Sequence, residues 1–107
     1  MEPQMTLKLT AEPKKHSTKY VGDNHQVYIK NNFFKGDVPE QIYLDIFAAD
    51  KDERLEGAIA FTQTKVCKAV HRYDSEHEDF VAIYVSKTLA DRNEGLMPMR
   101  ILVSVRK

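Results

Sequence analysis

Apolar residues alternate with polar ones wherever they gather along the chain. Leu7 and Leu9, Val27 and Ile29, and Ile42, Leu44 and Ile46 are each separated by one residue, and the second half repeats this with Ile59 and Phe61, Ile83 and Val85, and Ile101, Val103 and Val105. A period of two is the mark of a strand with one buried face. Strands are therefore expected near residues 5–11, 15–21, 25–31, 41–48, 58–65, 67–73, 80–87 and 99–106. Between them, Gly22-Asp23-Asn24, Lys35-Gly36-Asp37, Asp74-Ser75-Glu76 and Arg92-Asn93-Glu94-Gly95 carry turn chemistry, because Gly, Asn and Asp tolerate positive φ or bond their own backbone. These read as hairpin connections. Residues 50–58, where Ala, Glu, Lys, Arg and Leu collect, are the helix candidate, and residues 88–92 suggest a short helical turn.

The two halves align on each other in order. Leu7-Lys8-Leu9-Thr10 matches Ile59-Ala60-Phe61-Thr62, Lys15 matches Lys68, Lys19-Tyr20 matches Arg72-Tyr73, and Val27-Tyr28-Ile29 matches Ile83-Tyr84-Val85. Gly36-x-Val38-Pro39-x-x-Ile42 then matches Gly95-x-Met97-Pro98-x-x-Ile101, with Leu44 and Ile46 falling on Val103 and Val105. The offset grows only at turns and connections, which absorb insertions where strands do not. The expectation is an all-β single domain over residues 1–107 with internal repeat units at about 5–48 and 58–107. It would consist of about eight antiparallel strands as two tandem related four-strand meanders, packed as a sandwich or closed as a barrel. A duplicated unit further requires Tyr20 to match Tyr73 in environment and Tyr28 to match Tyr84. Pro39 and Pro98 should each precede a strand, and the halves should be related by a two-fold rotation.

Composition narrows the class. A chain of 107 residues that is 42% hydrophobic and 30% charged can bury a single core without staples. Sixteen Lys+Arg balance sixteen Asp+Glu, which removes the bulk electrostatic argument for nucleic acid or an anionic membrane while leaving room for a local patch. The one cysteine, Cys67, implies no intrachain disulfide, and Met1-Glu2-Pro3-Gln4-Met5 has no basic stretch leading into an apolar run, so a cytoplasmic location is expected. No segment has the amphipathic length for membrane association.

Candidate chemistry is sparse. There is no Gly-x-Ser-x-Gly elbow, phosphate-cradling Gly-rich loop, His-Glu-x-x-His or Cys-x-x-Cys. No catalytic residue, cofactor or metal site is therefore expected, and the protein reads as a non-enzyme. Cys67, beside Lys65 and Lys68, reads as a packed strand residue. His16, His25 and His71 are dispersed, while His77 lies among Asp74, Glu76, Glu78 and Asp79 in what reads as a solvated hairpin tip.

Two constellations remain. Tyr43 and Phe47 lie on the strand face opposite Ile42, Leu44 and Ile46, and Phe33 and Phe34 are adjacent, so part of this apolar set is expected at the surface. The leading expectation is a non-catalytic β-domain binding module that engages a protein partner through these residues, with self-association as a homodimer one form of it. The alternative is single-stranded nucleic-acid binding through duplicated basic strips. Lys15 and Lys19 in the first half and Lys68 and Arg72 in the second would meet phosphates, and Tyr28 and Tyr84 would meet bases. Against it, charged residues on an antiparallel sheet commonly mark its solvated face. A small-ligand site at the junction of the halves is a third reading.

Overall fold

The computed structural model describes residues 2–22 and 24–107; Met1, and Asp23 of the expected Gly22-Asp23-Asn24 turn, lie outside the described residues. The strands are β1 (Met5–Pro13), β2 (Ser17–Gly22), β3 (His25–Lys30), β4 (Gln41–Ala48), β5 (Ile59–Val66), β6 (Val70–Ser75), β7 (Phe80–Ser86) and β8 (Arg100–Arg106). All pair antiparallel and close into a barrel in the order β1-β2-β3-β7-β6-β5-β8-β4. The all-β, eight-strand expectation holds, with the barrel as the form realised. Closure leaves no strand edge unpaired, which is the surest protection of an antiparallel sheet.

Within each half the strands do not run as a meander. β4 returns beside β1 and β8 beside β5, so each half is a Greek key with spatial order 4-1-2-3 or 8-5-6-7. Connection length is the cause. The short links at 14–16 and 67–69 make hairpins, whereas residues 31–40 and 87–99 are too long for hairpin turns and arch over the barrel ends. Each arch contains a 3₁₀ turn, Asn31–Phe33 in one and Lys87–Arg92 in the other. The first lays Phe34 edge-on against Tyr20 (6.0 Å) and Phe33 edge-on against Phe80 (4.8 Å); the second sinks Leu89 completely. Gly36 (φ +133°) and Gly95 (φ +82°), matched in the sequence, supply the backbone turns that a side chain would oppose.

The inward side of every strand builds one core, from Leu7 and Leu9 on β1 round to Ile101 and Val103 on β8. Residues 50–58 are not a helix. The segment is short and contains Asp50, Asp52 and Gly57 (φ +80°), and its carbonyls are used elsewhere: the Arg100 guanidinium donates to Asp50 O and Glu53 O, both at 2.7 Å.

Several strand registers agree between the two halves, although β5 carries an irregularity between Gln63 and Lys65 that β1 lacks, so the offset changes there inside a strand rather than at a turn. Ala11 opposite Tyr20 has Gln63 opposite Tyr73 as its counterpart; Leu9 opposite Ile42 has Phe61 opposite Ile101; Lys19 opposite Tyr28 has Arg72 opposite Tyr84. Tyr20 and Tyr73 are both fully buried, and their hydroxyls donate to Pro39 O at 2.8 Å and Pro98 O at 2.7 Å. Each Pro precedes a strand, where its missing N–H costs no ladder bond. The halves meet along two seams, β3 on β7 and β4 on β8, so each seam joins a strand to its own counterpart. Val27 faces Ile83 and Asp45 faces Ser104, each opposite the residue that the sequence alignment matched to it.

Candidate functional site

The β3·β7 seam makes β2-β3-β7-β6 one continuous four-stranded surface. Because Thr18 and Tyr20, Val27 and Ile29, His71 and Tyr73, and Ile83 and Val85 are buried, alternation turns Lys19, Tyr28, Arg72 and Tyr84 to the outside. The Lys19 ammonium lies 5.9 Å from the Tyr28 ring centroid and the Arg72 guanidinium 5.8 Å from that of Tyr84, so the same cation–aromatic pair occurs in both halves. Both distances are near the outer limit of a cation–π contact, which at partly exposed positions is worth about 0.5–1 kcal/mol and opens readily.

The pairs are close. Gln26 on β3 lies opposite Tyr84 and is two residues from Tyr28; with about 3.4 Å per residue and about 4.8 Å between strands, the Tyr28 and Tyr84 backbones are about 8 Å apart and those of Lys19 and Arg72 about 16 Å. A register shift between Val27 and Ile29 sets Val81 and Ala82 against Tyr28, and leaves Val81 half exposed on this face. Such bulges commonly re-aim side chains at functional surfaces. Val81 was not singled out in the sequence, because an irregular β7 register gives no periodic signal.

The halves differ in their electrostatics. Arg72 Nε donates to Asp74 Oδ1 at 3.0 Å and Nη1 to the Tyr84 hydroxyl at 3.3 Å, and the bond to Asp74 raises the guanidinium pKa further. The counterpart of Asp74 is Val21, and among the described residues Lys19 has no ion pair. Lys15 and Lys68 are exposed but sit in the hairpin links rather than on the strands. β2 and β6 run in opposite directions, so these links fall at opposite ends of the face. Only the inner members of the expected strips, Lys19 and Arg72, therefore share the strand surface.

The expected apolar surface is largely internal. Phe34 (5% exposed) and Phe47 (7%) are buried and Phe33 and Tyr43 half-buried. Phe33 and Phe34 are not strand neighbours pointing apart; the 3₁₀ turn aims both into the aromatic group that plugs one barrel end. Phe47 lies opposite Leu102, itself opposite Ala60, and this apolar row on the outer face covers it. At the other end of that face Arg106 stacks over Tyr43 at 5.4 Å and bonds Asp45 through Nε (2.6 Å) and Nη2 (3.0 Å). That contact, with a bond from Thr6, holds the Asp45 carboxyl below the usual carboxylate range. The four residues of the protein-partner expectation thus do not form one patch. The large exposed apolar side chains include Leu96 and Met99 instead, beside a groove of about 840 Å³ between residues 48–54 and 93–100.

The remaining candidates are structural in setting. Cys67 is half-buried in the β5–β6 link, not in a strand, and its N–H donates to Val70 O at 2.9 Å. His71 is buried; its Nδ1 lies 2.7 Å from Gln63 Nε2, and burial and then the Lys87 charge lower its pKa. The acidic tip is held by its own bonds, His77 N–H to Ser75 Oγ (2.7 Å) and Asp79 N–H to His77 Nδ1 (3.1 Å), and the His77 ring packs edge-on against Phe33 and Phe80. Among the described residues no helix is long and apolar enough to cross a membrane. No family model, curated protein or solved structure matches the chain.

Proposed function

We propose that the protein is a non-catalytic binding module that takes a single-stranded nucleic acid across the outer face of β2-β3-β7-β6, and that its two halves arose by duplication. One observation carries the binding reading: β3 pairs with β7, which brings two cation–aromatic pairs, Lys19/Tyr28 and Arg72/Tyr84, onto one surface. Cations track the phosphates, and a ring supports a base of any identity, so the pairing suits a strand bound without sequence preference. The cation leaves its ring for the phosphate as the base stacks. Matching registers and the paired Tyr–Pro hydrogen bonds support the duplication.

The test is titration of a labelled oligothymidylate over a range of salt. Each phosphate neutralised on a single strand contributes about −0.7 to the slope of log K against log salt. A slope between about −1.4, for Lys19 and Arg72 alone, and about −2.8, with Lys15 and Lys68 added, is expected. Tyr28→Ala and Tyr84→Ala should each cost about 1–3 kcal/mol. Absence of binding at low salt ends the reading.

A protein partner remains as a second reading, moved from Tyr43, Phe47, Phe33 and Phe34 to the exposed Leu96 and Met99 beside their groove. Its self-association form requires a dimer in sedimentation that reverts to monomer in Leu96→Glu/Met99→Glu. A strictly monomeric wild-type chain removes that form.

A further inference from the structure

We infer that this face binds one strand per chain and accepts it in either polarity. The inference rests on the nucleic-acid reading above and follows from how the halves are joined. Exchanging the halves carries Lys19 onto Arg72, Tyr28 onto Tyr84, and the Lys19–Tyr28 register onto the Arg72–Tyr84 register. The exchange point on this face is the Val27–Ile83 pair, between the two aromatic rings. A directional polymer laid across such a point meets a cation, a ring, a ring and a cation in that order from whichever end it is read. No contact made by these four residues therefore separates the 5′→3′ orientation from its reverse.

The face as a whole is not fully equivalent, since the exposed Lys30 has Ser86 as its counterpart; between the two cation–ring pairs themselves, two smaller features differ. Arg72 stands where the first half has Lys19, and Asp74 braces Arg72 where the first half has Val21. The Arg72–Asp74 pair has more than a third of each side chain exposed, and exposed pairs of this kind contribute little. The bulge at Val81 and Ala82 lies beside the exchange point and faces Tyr28, whereas Tyr84 faces Gln26, so it is a one-sided departure that the polarity assay also reads. One strand per chain follows from spacing. With the cation backbones about 16 Å apart, a strand that engages one pair covers the other.

The one cysteine offers the assay, because Cys67 sits in the β5–β6 link at one end of the face, away from its centre. A donor dye on Cys67 is paired with an acceptor on either the 5′ or the 3′ end of an oligothymidylate of about 12 nucleotides, within the usual site size for such folds. Equal transfer to the two ends, at one oligonucleotide per chain, is the expected result. In parallel, Tyr28→Ala and Tyr84→Ala should weaken binding by factors that agree within about threefold. Binding with transfer to one end at least twice that to the other overturns polarity indifference and leaves the nucleic-acid reading standing. Loss of affinity in only one Tyr variant does the same. Two strands bound per chain overturns the single-strand geometry. No binding of either oligonucleotide at low salt removes the underlying reading and this inference with it.

Discussion

Removal of one hydroxyl from each buried tyrosine tests the paired architecture quantitatively. Tyr20 and Tyr73 are both fully buried, and each O–H donates to the carbonyl of the Pro two residues ahead of a returning strand, at 2.8 Å and 2.7 Å. Tyr→Phe keeps the ring and its packing and deletes only the donor, so the loss is set by what becomes of the carbonyl left behind. Pro98 is buried, so its carbonyl would stay dry and unpaired, at a cost of about 1–3 kcal/mol. Pro39 is half-buried, so water can reach its carbonyl, and Tyr20→Phe should cost about 0.5–1.5 kcal/mol. In a domain of this size each kcal/mol lowers Tm by about 4–8 °C. The assay is urea unfolding followed by circular dichroism, with the midpoint falling and the m-value unchanged. The bonds belong to separate strand systems, so the double variant should be additive within about 0.5 kcal/mol. A Tyr73→Phe loss under about 0.5 kcal/mol, or a larger loss for Tyr20→Phe than for Tyr73→Phe, would refute the claim that these hydroxyls hold the two arches to the barrel.

Further perturbations probe other links. A Cβ on Gly22 would stand 2.6 Å from Lys8 O and 3.1 Å from Leu9 Cδ2. Gly22→Ala should therefore cost about 1–3 kcal/mol by forcing β1 and β2 apart, measurable as a lower urea midpoint. The buried His71 has a depressed pKa, so the unfolded chain binds its proton first. Its contribution to stability is complete above the unfolded value of about 6.5 and is lost as pH falls through the folded value. His71→Gln should flatten that part of the stability profile, and an unchanged slope below about pH 6.5 would contradict it. Burial pushes Tyr20 up to about 12 and raises Tyr73 as well, so their contribution is intact below the unfolded value of about 10 and is lost as pH rises through the folded values. The two Tyr→Phe variants should unfold less steeply in that alkaline range. In the oligonucleotide titration, Lys19→Ala should make the salt slope shallower by about 0.7, and an unchanged slope would remove Lys19 from the phosphate path.

Period-two alternation is a local property, and it located six of the eight strands because each buries one face whatever its neighbours are; β2 and β6 lack such an apolar run, yet their expected ranges fall within a few residues of those observed. The same pattern identified the core side of those six strands, and the Gly-x-x-Pro spacing marked both points where the chain turns into β4 and β8. The pairing of Tyr20 with Tyr73 and of Pro39 with Pro98 could likewise be read from the sequence, and the two tyrosines make the same kind of bond to those prolines. Which edges join could not be read there. Antiparallel edges offer the same N–H and C=O groups, so alternation is silent on whether β4 adds to β3 or returns to β1. The length of residues 31–40 and 87–99 was the available signal, and their Gly-containing turns masked it by resembling hairpins. Burial of Phe34 and Phe47 was equally non-local. It required the arch to turn back over the barrel end, and β4 to lie beside β8, where Leu102 meets Phe47. The candidate face has the same origin. Lys19, Tyr28, Arg72 and Tyr84 could be read from the chain as two separate sets, and only closure of β3 onto β7, a long-range pairing with no local counterpart in the sequence, made them one surface.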